Sequence, residues 1–312
     1  MAGIIEEMLM KRILEKKKKL EKLRPLNVYQ LSLLKKQMWI EFIYNSTSIE
    51  GNSLTLDETR LVLEEGITIK GKPLQEHYDV TNQKEAMEKL DGWVKRGKHT
   101  VSEGDILELH WISLKGISNE WAGRYKTVEN RVLGSAVKRT PPYMVKEEMN
   151  KLVSFINDNP EDLNPVEMAA VSHQIIARIH PFLDGNGRCA RLLSNMILMM
   201  NGYPPNTIIN KERKKYFETI EKAHKGNRGP FVNFFARSLE RMLDLYLNAL
   251  VPTDKNNELV PLSMLCKETP YSQEYLSLLA RKGRFSAVKV NGVWHSSREK
   301  LKEYLNSLKG RG

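Results

Sequence analysis

The sequence predicts an all-α body interrupted by one short β-hairpin, followed by a small helix-turn-helix domain with a hairpin of its own. Three observations predict it. Apolar residues recur at helical spacing through most of the first 250 positions. Only the stretch from Arg124 to Met144 breaks that rhythm, with Val and Thr, a central Gly134-Ser135 and a closing pair, Pro141-Pro142. Finally, the polar stretch Val251–Glu258, which contains a proline, sets off a C-terminal segment with a different pattern.

Each element has its own signal. Residues 4–24 repeat Ile4, Ile5, Met8, Ile13, Leu20 and Leu23 between charges, which predicts a surface helix stopped near Pro25. A second helix is expected from about Val28 to Glu50, on Leu31, Leu34, Met38, Trp39, Phe42 and Ile43, with Gly51-Asn52-Ser53 breaking it. Thr55 and Glu58 form a capping box for a third helix that ends near Gly66. Helices are expected at about 74–96 and 104–116, then the hairpin, then helices resuming near Val145. Asn164, Pro165 and Glu167 give a strong start signal for a helix that runs to about His180. Further helices are expected at about 188–201, 211–224 and 230–250. The C-terminal segment reads as helix, turn, helix, a hairpin turning at Asn291-Gly292, and a last helix. The expected domains are 1–110, 111–250 and 258–312.

Composition narrows the class. Of 312 residues, 41% are hydrophobic and 28% charged, as in ordinary globular chains. No apolar run approaches membrane length, so no membrane partner is expected. The N-terminal stretch lacks the form of a signal peptide. Cys189 and Cys266 are far apart and lack metal-type spacing, which points to a reduced, cytoplasmic setting without disulfides. The net charge of +11 is uneven: Lys11–Arg24 holds eight basic and two acidic residues, and the chain from Glu258 onward holds ten and five. Such surpluses favour anionic partners, although a run such as EKKKKLEK also serves as a solvated helix face.

The densest chemistry lies in RIHPFLDGNGRCARLL, Arg178–Leu193, between two predicted helices. Pro181 helps to end the first helix. The second is expected to start near Gly187-Arg188, so Asp184-Gly185-Asn186-Gly187 precedes a helix N-terminus that favours an anion. Glycine lets the backbone approach phosphate oxygens. Arg188 and Arg191, three apart, share one helix face and suggest more than one phosphate. Asp184 is a hard oxygen ligand suited to Mg²⁺. His180 is a candidate general base. His173, one helical stretch earlier, is expected to pack or cap. Together the parts read as a phosphate-bond transfer site. Gly185-Asn186-Gly187-Arg188-Cys189-Ala190 also fits a loose dinucleotide pattern, but that pattern needs a preceding strand; no Walker loop occurs.

His180-Pro181-Phe182-Leu183-Asp184-Gly185-Asn186-Gly187-Arg188-Cys189-Ala190-Arg191 resembles the signature of the Fic family, H-P-F-x-[D/E]-G-N-G-R-x-x-R, at every fixed position. The resemblance extends over most of Gln37–Arg241, and GRYKTVENRVLGS resembles the family's flap hairpin. It implies a Fic-type helical core and transfer of AMP from ATP to a Ser, Thr or Tyr hydroxyl of a target protein. His180 would deprotonate that hydroxyl, Phe182 would anchor the loop, and Asp184 would hold Mg²⁺ on the α- and β-phosphates. Gly185, Asn186 and Gly187 would line the anion hole, Arg188 would bind phosphate, and Arg191 the γ-phosphate. The target segment would add as a strand to the flap at 124–140.

Ser46-Thr47-Ser48-Ile49-Glu50-Gly51-Asn52 in turn resembles the family's inhibitory motif, [S/T]-x-x-x-E-[G/N], with Ser46, Glu50 and Gly51 at the fixed places. The implied mechanism is a Glu50 carboxylate pairing with Arg191 in place of the γ-phosphate. A plain helix end, with Gly51 as cap, is the simpler alternative. In some family members the same glutamate helps to remove AMP. The tail from about Glu258 resembles a winged helix-turn-helix of the excisionase type, in which Arg281, Lys282, Arg284 and Lys289 would meet DNA phosphates or a protein partner. Two classes of function stay open: a transferase whose tail recruits targets, or a DNA-binding regulator with a nucleotide-sensing or inactive core. The cargo stays open too, as AMP, another nucleotide or phosphocholine, with NGYPPN (201–206) expected to shape part of the base pocket. A homodimer is also open.

Overall fold

The helices begin where local chemistry starts them. In a computed structural model, the chain is described over residues 3–23, 28–130, 138–250, 259–282, 284–290 and 292–309. It divides into two compact units: Met1–Lys22 with Lys36–Tyr246, and Leu23–Lys35 with Leu247–Gly312.

Helix α1 (Glu7–Lys22) buries Leu9, Ile13 and Leu20. Helix α2 is Val28–Ile49. Helix α3 (Leu56–Glu65) has the expected capping box between Thr55 and Glu58 and ends at Gly66, whose φ of 66° only glycine adopts freely. Helices α4 (Leu74–Lys95) and α5 (Glu103–Leu114) follow. A capping box opens α5 too, between Ser102 and Asp105. It is harder to see in the sequence because aspartate replaces the usual glutamate.

The core of the expected hairpin, residues 131–137, lies outside the described residues. Its flanks, 124–130 and 138–141, have neither helix nor strand. Helix α6 starts at Pro142, not near Val145, with Pro141 as its N-cap. A proline pair read as the close of a hairpin is here a helix start, because the first helical residue needs no N–H.

Helix α7 (Pro165–Ile179) is capped by Asn164, whose side chain accepts from the Val166 and Glu167 N–H groups while Glu167 reaches back. The Glu167 carboxylate also takes the N–H groups of Ile4 and Ile5 at 2.5 and 2.9 Å, fastening the start of the chain to this helix. Helix α8 (Asn186–Met200) is buried on every face from Arg188 to Met199, as its Leu-Met-Ile-rich sequence requires. It is the central element, packed by α7, α5 and α4. A 3₁₀ turn (Asn210–Glu212), α9 (Arg213–His224) and α10 (Gly229–Leu250) complete this unit. NGYPPN is buried from Tyr203 to Asn206, with Asn206 bonded to Asn195 and to the Phe235 carbonyl.

The second unit has its own core of Val260, Leu262, Leu265, Leu276, Leu279, Phe285 and Leu301. Strand β1 (Val260–Pro261) leads into α11 (Leu262–Leu265) and a 3₁₀ turn, then α12 (Gln273–Arg281), strands β2 (Val288–Val290) and β3 (Val293–Ser296), and α13 (Arg298–Lys309). The sheet is antiparallel in the order β1-β3-β2. The sequence pattern showed the helices and the β2–β3 hairpin. It missed β1, which is too short to show alternation. Arg281, Lys282, Arg284 and Lys289 are exposed. Among the described residues, no helix is long and apolar enough to cross a membrane.

Candidate active site

The loop between α7 and α8 is held rigidly by its own side chains. His180 caps α7 in the left-handed conformation (φ 53°, ψ 59°), an uncommon state for a non-glycine residue that tends to mark functional sites. Phe182 is fully buried. The Asn186 side chain grips its backbone from both sides: Oδ1 accepts from the Phe182 N–H at 2.9 Å, and Nδ2 donates to its carbonyl at 2.8 Å. His110 on α5 stacks on the Phe182 ring with centroids 3.6 Å apart. Its Nδ1 accepts from the Gly123 N–H, so Nε2 carries the proton that goes to the Asp184 carbonyl at 3.0 Å. Gly185, at φ 75°, leaves little room for a Cβ, which would come 3.2 Å from His110 Nε2. Residues of the first arm of the flap stretch reach the same loop: the Lys126 N–H donates to the Pro181 carbonyl, and Asn130 donates to that of Phe182.

Helix α8 starts at Gly185 with no side-chain cap. Its first N–H groups and dipole therefore present a positive end to the site. The two signature arginines flank it. Arg188, 6% exposed, is held between two carboxylates: Asp184 at 2.9 Å and Asp79 on α4. Arg191, 3% exposed, meets α2. Its Nε donates to Ser46 Oγ at 2.9 Å, and its terminal nitrogen donates to the Ser46 carbonyl at 2.8 Å and to Glu50 Oε1 at 2.7 Å. Ser46 Oγ in turn donates to Gln83 on α4. Glu50 lies directly over the loop, for a Cβ added to Gly187 would sit 2.2 Å from its Oε1. The end of α2 is fastened there by Arg213, which donates to the Ile49 carbonyl, and by Asn210, which donates to Ser48. Gly51, at φ 107°, turns the chain away from the helix.

His180 is pushed down to about 4, mainly by burial and then by the positive charges of Arg139 and Lys126; Glu50 opposes this weakly. Its imidazole is therefore neutral at neutral pH and able to accept a proton. His173, one helix earlier, is fully buried, bonded to Tyr216 at 2.8 Å and held down at about 3 by burial. That is a packing role, as the sequence suggested.

The structure thus brings His180, Asp184, Gly185, Asn186, Gly187, Arg188 and Arg191 onto one loop and helix start, with Ser46 and Glu50 against Arg191. The donor set suits a polyphosphate. Arg188 Nε and one terminal nitrogen of Arg191 are buried and make no hydrogen bond among the described residues, and both lie beside the uncapped helix end. Asp184, 63% exposed, is the accessible carboxylate for a divalent cation. Four neighbours escaped the sequence reading as site residues: Asp79, His110, Lys126 and Arg139. Only one signal pointed toward Asp79 and its helix: α4 places His77, Asn82 and Gln83 among the apolar residues of its buried face.

Comparison with known proteins agrees with the geometry. A profile of the Fic/DOC family matches residues 100–198. The chain is 37% identical over 217 residues to a protein adenylyltransferase Fic of Nematostella vectensis, covering 68% of this chain and 49% of that protein. The chain spans about half the length of the curated relatives it matches. A Fic-domain signalling protein from Bacteroides thetaiotaomicron superposes with a TM-score of 0.71 at 30% identity, over 77% of this chain and 96% of that one. Fic-1 of Caenorhabditis elegans, residues 134–508, gives a TM-score of 0.71 at 30% identity, over 79% and 74%.

Proposed function

The chain belongs to the Fic/DOC family, and from that premise we propose that it is a protein adenylyltransferase restrained by its own Glu50. The reaction moves AMP from ATP to a hydroxyl of a target protein. The observation that carries the reading is a neutral, partly buried His180 beside an uncapped helix start flanked by two buried arginines.

His180 takes the proton as the target oxygen bonds to the α-phosphorus, and the α–β anhydride bond breaks to release pyrophosphate. The Gly185–Gly187 backbone and the positive end of α8 hold phosphate oxygens, and Asn186 keeps that backbone in shape. Arg188 and Arg191 supply positive charge for the phosphates. Asp184 would hold Mg²⁺, which neutralises phosphate charge when bound. The target strand would pair at the flap, 124–140. The signature loop lies within residues 100–198, which the family profile matches.

Glu50 restrains the reaction by taking the Arg191 charge and by lying over Gly187. ATP can then bind only with its terminal phosphate displaced. Removal of AMP from a modified target by Glu50, and use of another nucleotide, are alternative outcomes of the same geometry.

The C-terminal unit supports a second reading. Its exposed Arg281, Lys282, Arg284 and Lys289 surround α12 and the β2 strand, which suits a winged-helix contact with DNA or an acidic protein. A DNA-binding regulator would show an affinity that falls steeply with salt.

The test uses α-³²P-ATP, Mg²⁺ and a cell lysate with three proteins: the native chain, Glu50→Gly and Glu50→Gly/His180→Ala. Label on the second alone supports the proposal. No label on any of them, with ATP binding demonstrated, sinks it.

A further inference from the structure

We propose that Asp79, on α4, is the positioning residue for Arg188: it holds the guanidinium at the phosphate site when Asp184 turns to another partner. The inference rests on the adenylyltransferase reading and extends it to a residue outside the signature.

Arg188 is almost wholly buried, so its charge needs a partner. Two carboxylates supply one each. Asp184 bonds one terminal nitrogen and Asp79 the other. The two acids differ in setting. The Asp184 side chain is mostly exposed and precedes Arg188 by four residues of the same loop. Asp79 is 16% exposed and belongs to a 22-residue helix. It is the partner fixed on a helix, and Asp184 the one open to solvent.

The difference matters when the site is used. A carboxylate that serves a divalent cation is drawn toward it and gives up part of its hold on a guanidinium. Arg188 would then lose one of two anchors. With Asp79 in place, the fork stays pinned at one terminal nitrogen, and Nε and the other terminal nitrogen point to the substrate. Without Asp79, a long side chain with four rotatable bonds would have to be ordered by the substrate itself.

Asp79 is not a second restraint like Glu50. Glu50 lies over Gly187, where a phosphate would pass, whereas Asp79 approaches Arg188 from α4. Burial raises the pKa of Asp79 more than its neighbours lower it, so the acid itself depends on Arg188 to stay charged.

The experiment uses the full chain carrying Glu50→Gly, with Asp79→Asn and Asp79→Glu added singly. Label transfer is followed against ATP concentration, and binding of ATP and of adenosine is measured by calorimetry with Mg²⁺. Asp79→Asn is expected to raise KM and weaken ATP binding about tenfold or more, leave adenosine binding within about twofold, and lower kcat less than KM rises. Asp79→Glu should recover at least part of the ATP affinity. Unchanged ATP binding, a gain in transfer, or equal loss of ATP and adenosine binding would each overturn the proposal; equal loss would mean a merely structural role. If the Glu50→Gly parent transfers no label, the transferase reading fails on its own, while the two binding curves still decide the role of Asp79.

Discussion

Replacing Glu50 by glycine tests the restraint at its centre. At an effective dielectric of about 20, two unit charges about 4 Å apart interact by roughly 4 kcal/mol. Arg191 is buried, but the Glu50 side chain is 36% exposed, so solvent screens the pair. A reduction to about 1–3 kcal/mol is reasonable. Two features limit the damage to the fold. Glu50 follows Ile49, the last helical residue of α2, so glycine there costs little helix stability. Arg191 also keeps its bonds to Ser46 Oγ and the Ser46 carbonyl, so its guanidinium stays aimed. The charge that Glu50 neutralised becomes available to the terminal phosphate. If that phosphate regains the same energy, productive ATP binding improves roughly 5- to 150-fold, at about 1.4 kcal/mol per decade. The expected result is Glu50→Gly transferring label from α-³²P-ATP faster by a factor in that range, with a Tm about 2–8 °C lower. A variant as slow as the native chain, with Arg191→Ala abolishing ATP binding in both, would refute the argument that Glu50 competes for Arg191. So would equal labelling of Glu50→Gly and Glu50→Gly/His180→Ala, because His180 would then not be the base.

Other expectations follow from the same geometry. The acidic limb of the pH–rate profile should fall near pH 4 rather than 6.5, because His180 is held down to about 4 and must be neutral to act. In Glu50→Gly that limb should move lower still, since Glu50 raises the His180 pKa; an inflection near 6.5 in label transfer would contradict it. Gly187→Ala drives a methyl group to within 2.2 Å of Glu50 Oε1, so it should abolish transfer in both backgrounds while destabilising Glu50→Gly less than the native chain. A double-mutant cycle on Tm reads that coupling. His110, His173, His180 and His224 are all pushed well below their ordinary range, to about 4, 3, 4 and 4, chiefly by burial. The unfolded chain binds these protons first, so stability should be full above about pH 6.5 and decline as pH falls toward 4, on the order of 1–3 kcal/mol per histidine. Urea unfolding at several pH values checks it, and a flat profile from pH 7 to 4 would contradict the burial argument.

What the sequence made legible was what acts locally. The Thr55–Glu58 and Asn164–Glu167 caps join residues three apart, and both appear as expected. The signature loop was legible for the same reason: Asn186 clamps a backbone four residues back, and Asp184 meets Arg188 four residues on. The Glu50–Arg191 pair spans 141 residues, and it came into view only through the family resemblance of its motif. Where no motif helped, distance hid the partner. Asp79 and Arg188 are 109 positions apart, and His110 and Asp184 are 74 apart. Neither spacing nor periodicity pairs an acid on one helix with a guanidinium on another. The prolines 141 and 142 misled for the opposite reason, since a local signal for a break serves equally well as a helix start.

That division has a functional consequence. The groups that would touch substrate lie on one short peptide, but the carboxylate that restrains Arg191 comes from the end of α2 and the one that positions Arg188 from α4. Both helices are joined through polar contacts unusual for a core: Arg191 to Ser46, Ser46 to Gln83, and Gln83 to Ser113 on α5. Each such bond restricts how far α2 can move without leaving a buried polar group unpaired, at roughly 1–3 kcal/mol per group. Releasing Glu50 by rotating its side chain keeps these bonds, whereas displacing α2 as a whole breaks them. Relief of the restraint should therefore begin at the Glu50 side chain and the Gly51 turn. A substitution such as Gln83→Leu, which removes the two bonds to Ser46 and Ser113, should raise basal transfer less than Glu50→Gly does. If Gln83→Leu instead matched Glu50→Gly in label transfer, the helix as a whole would be the moving part.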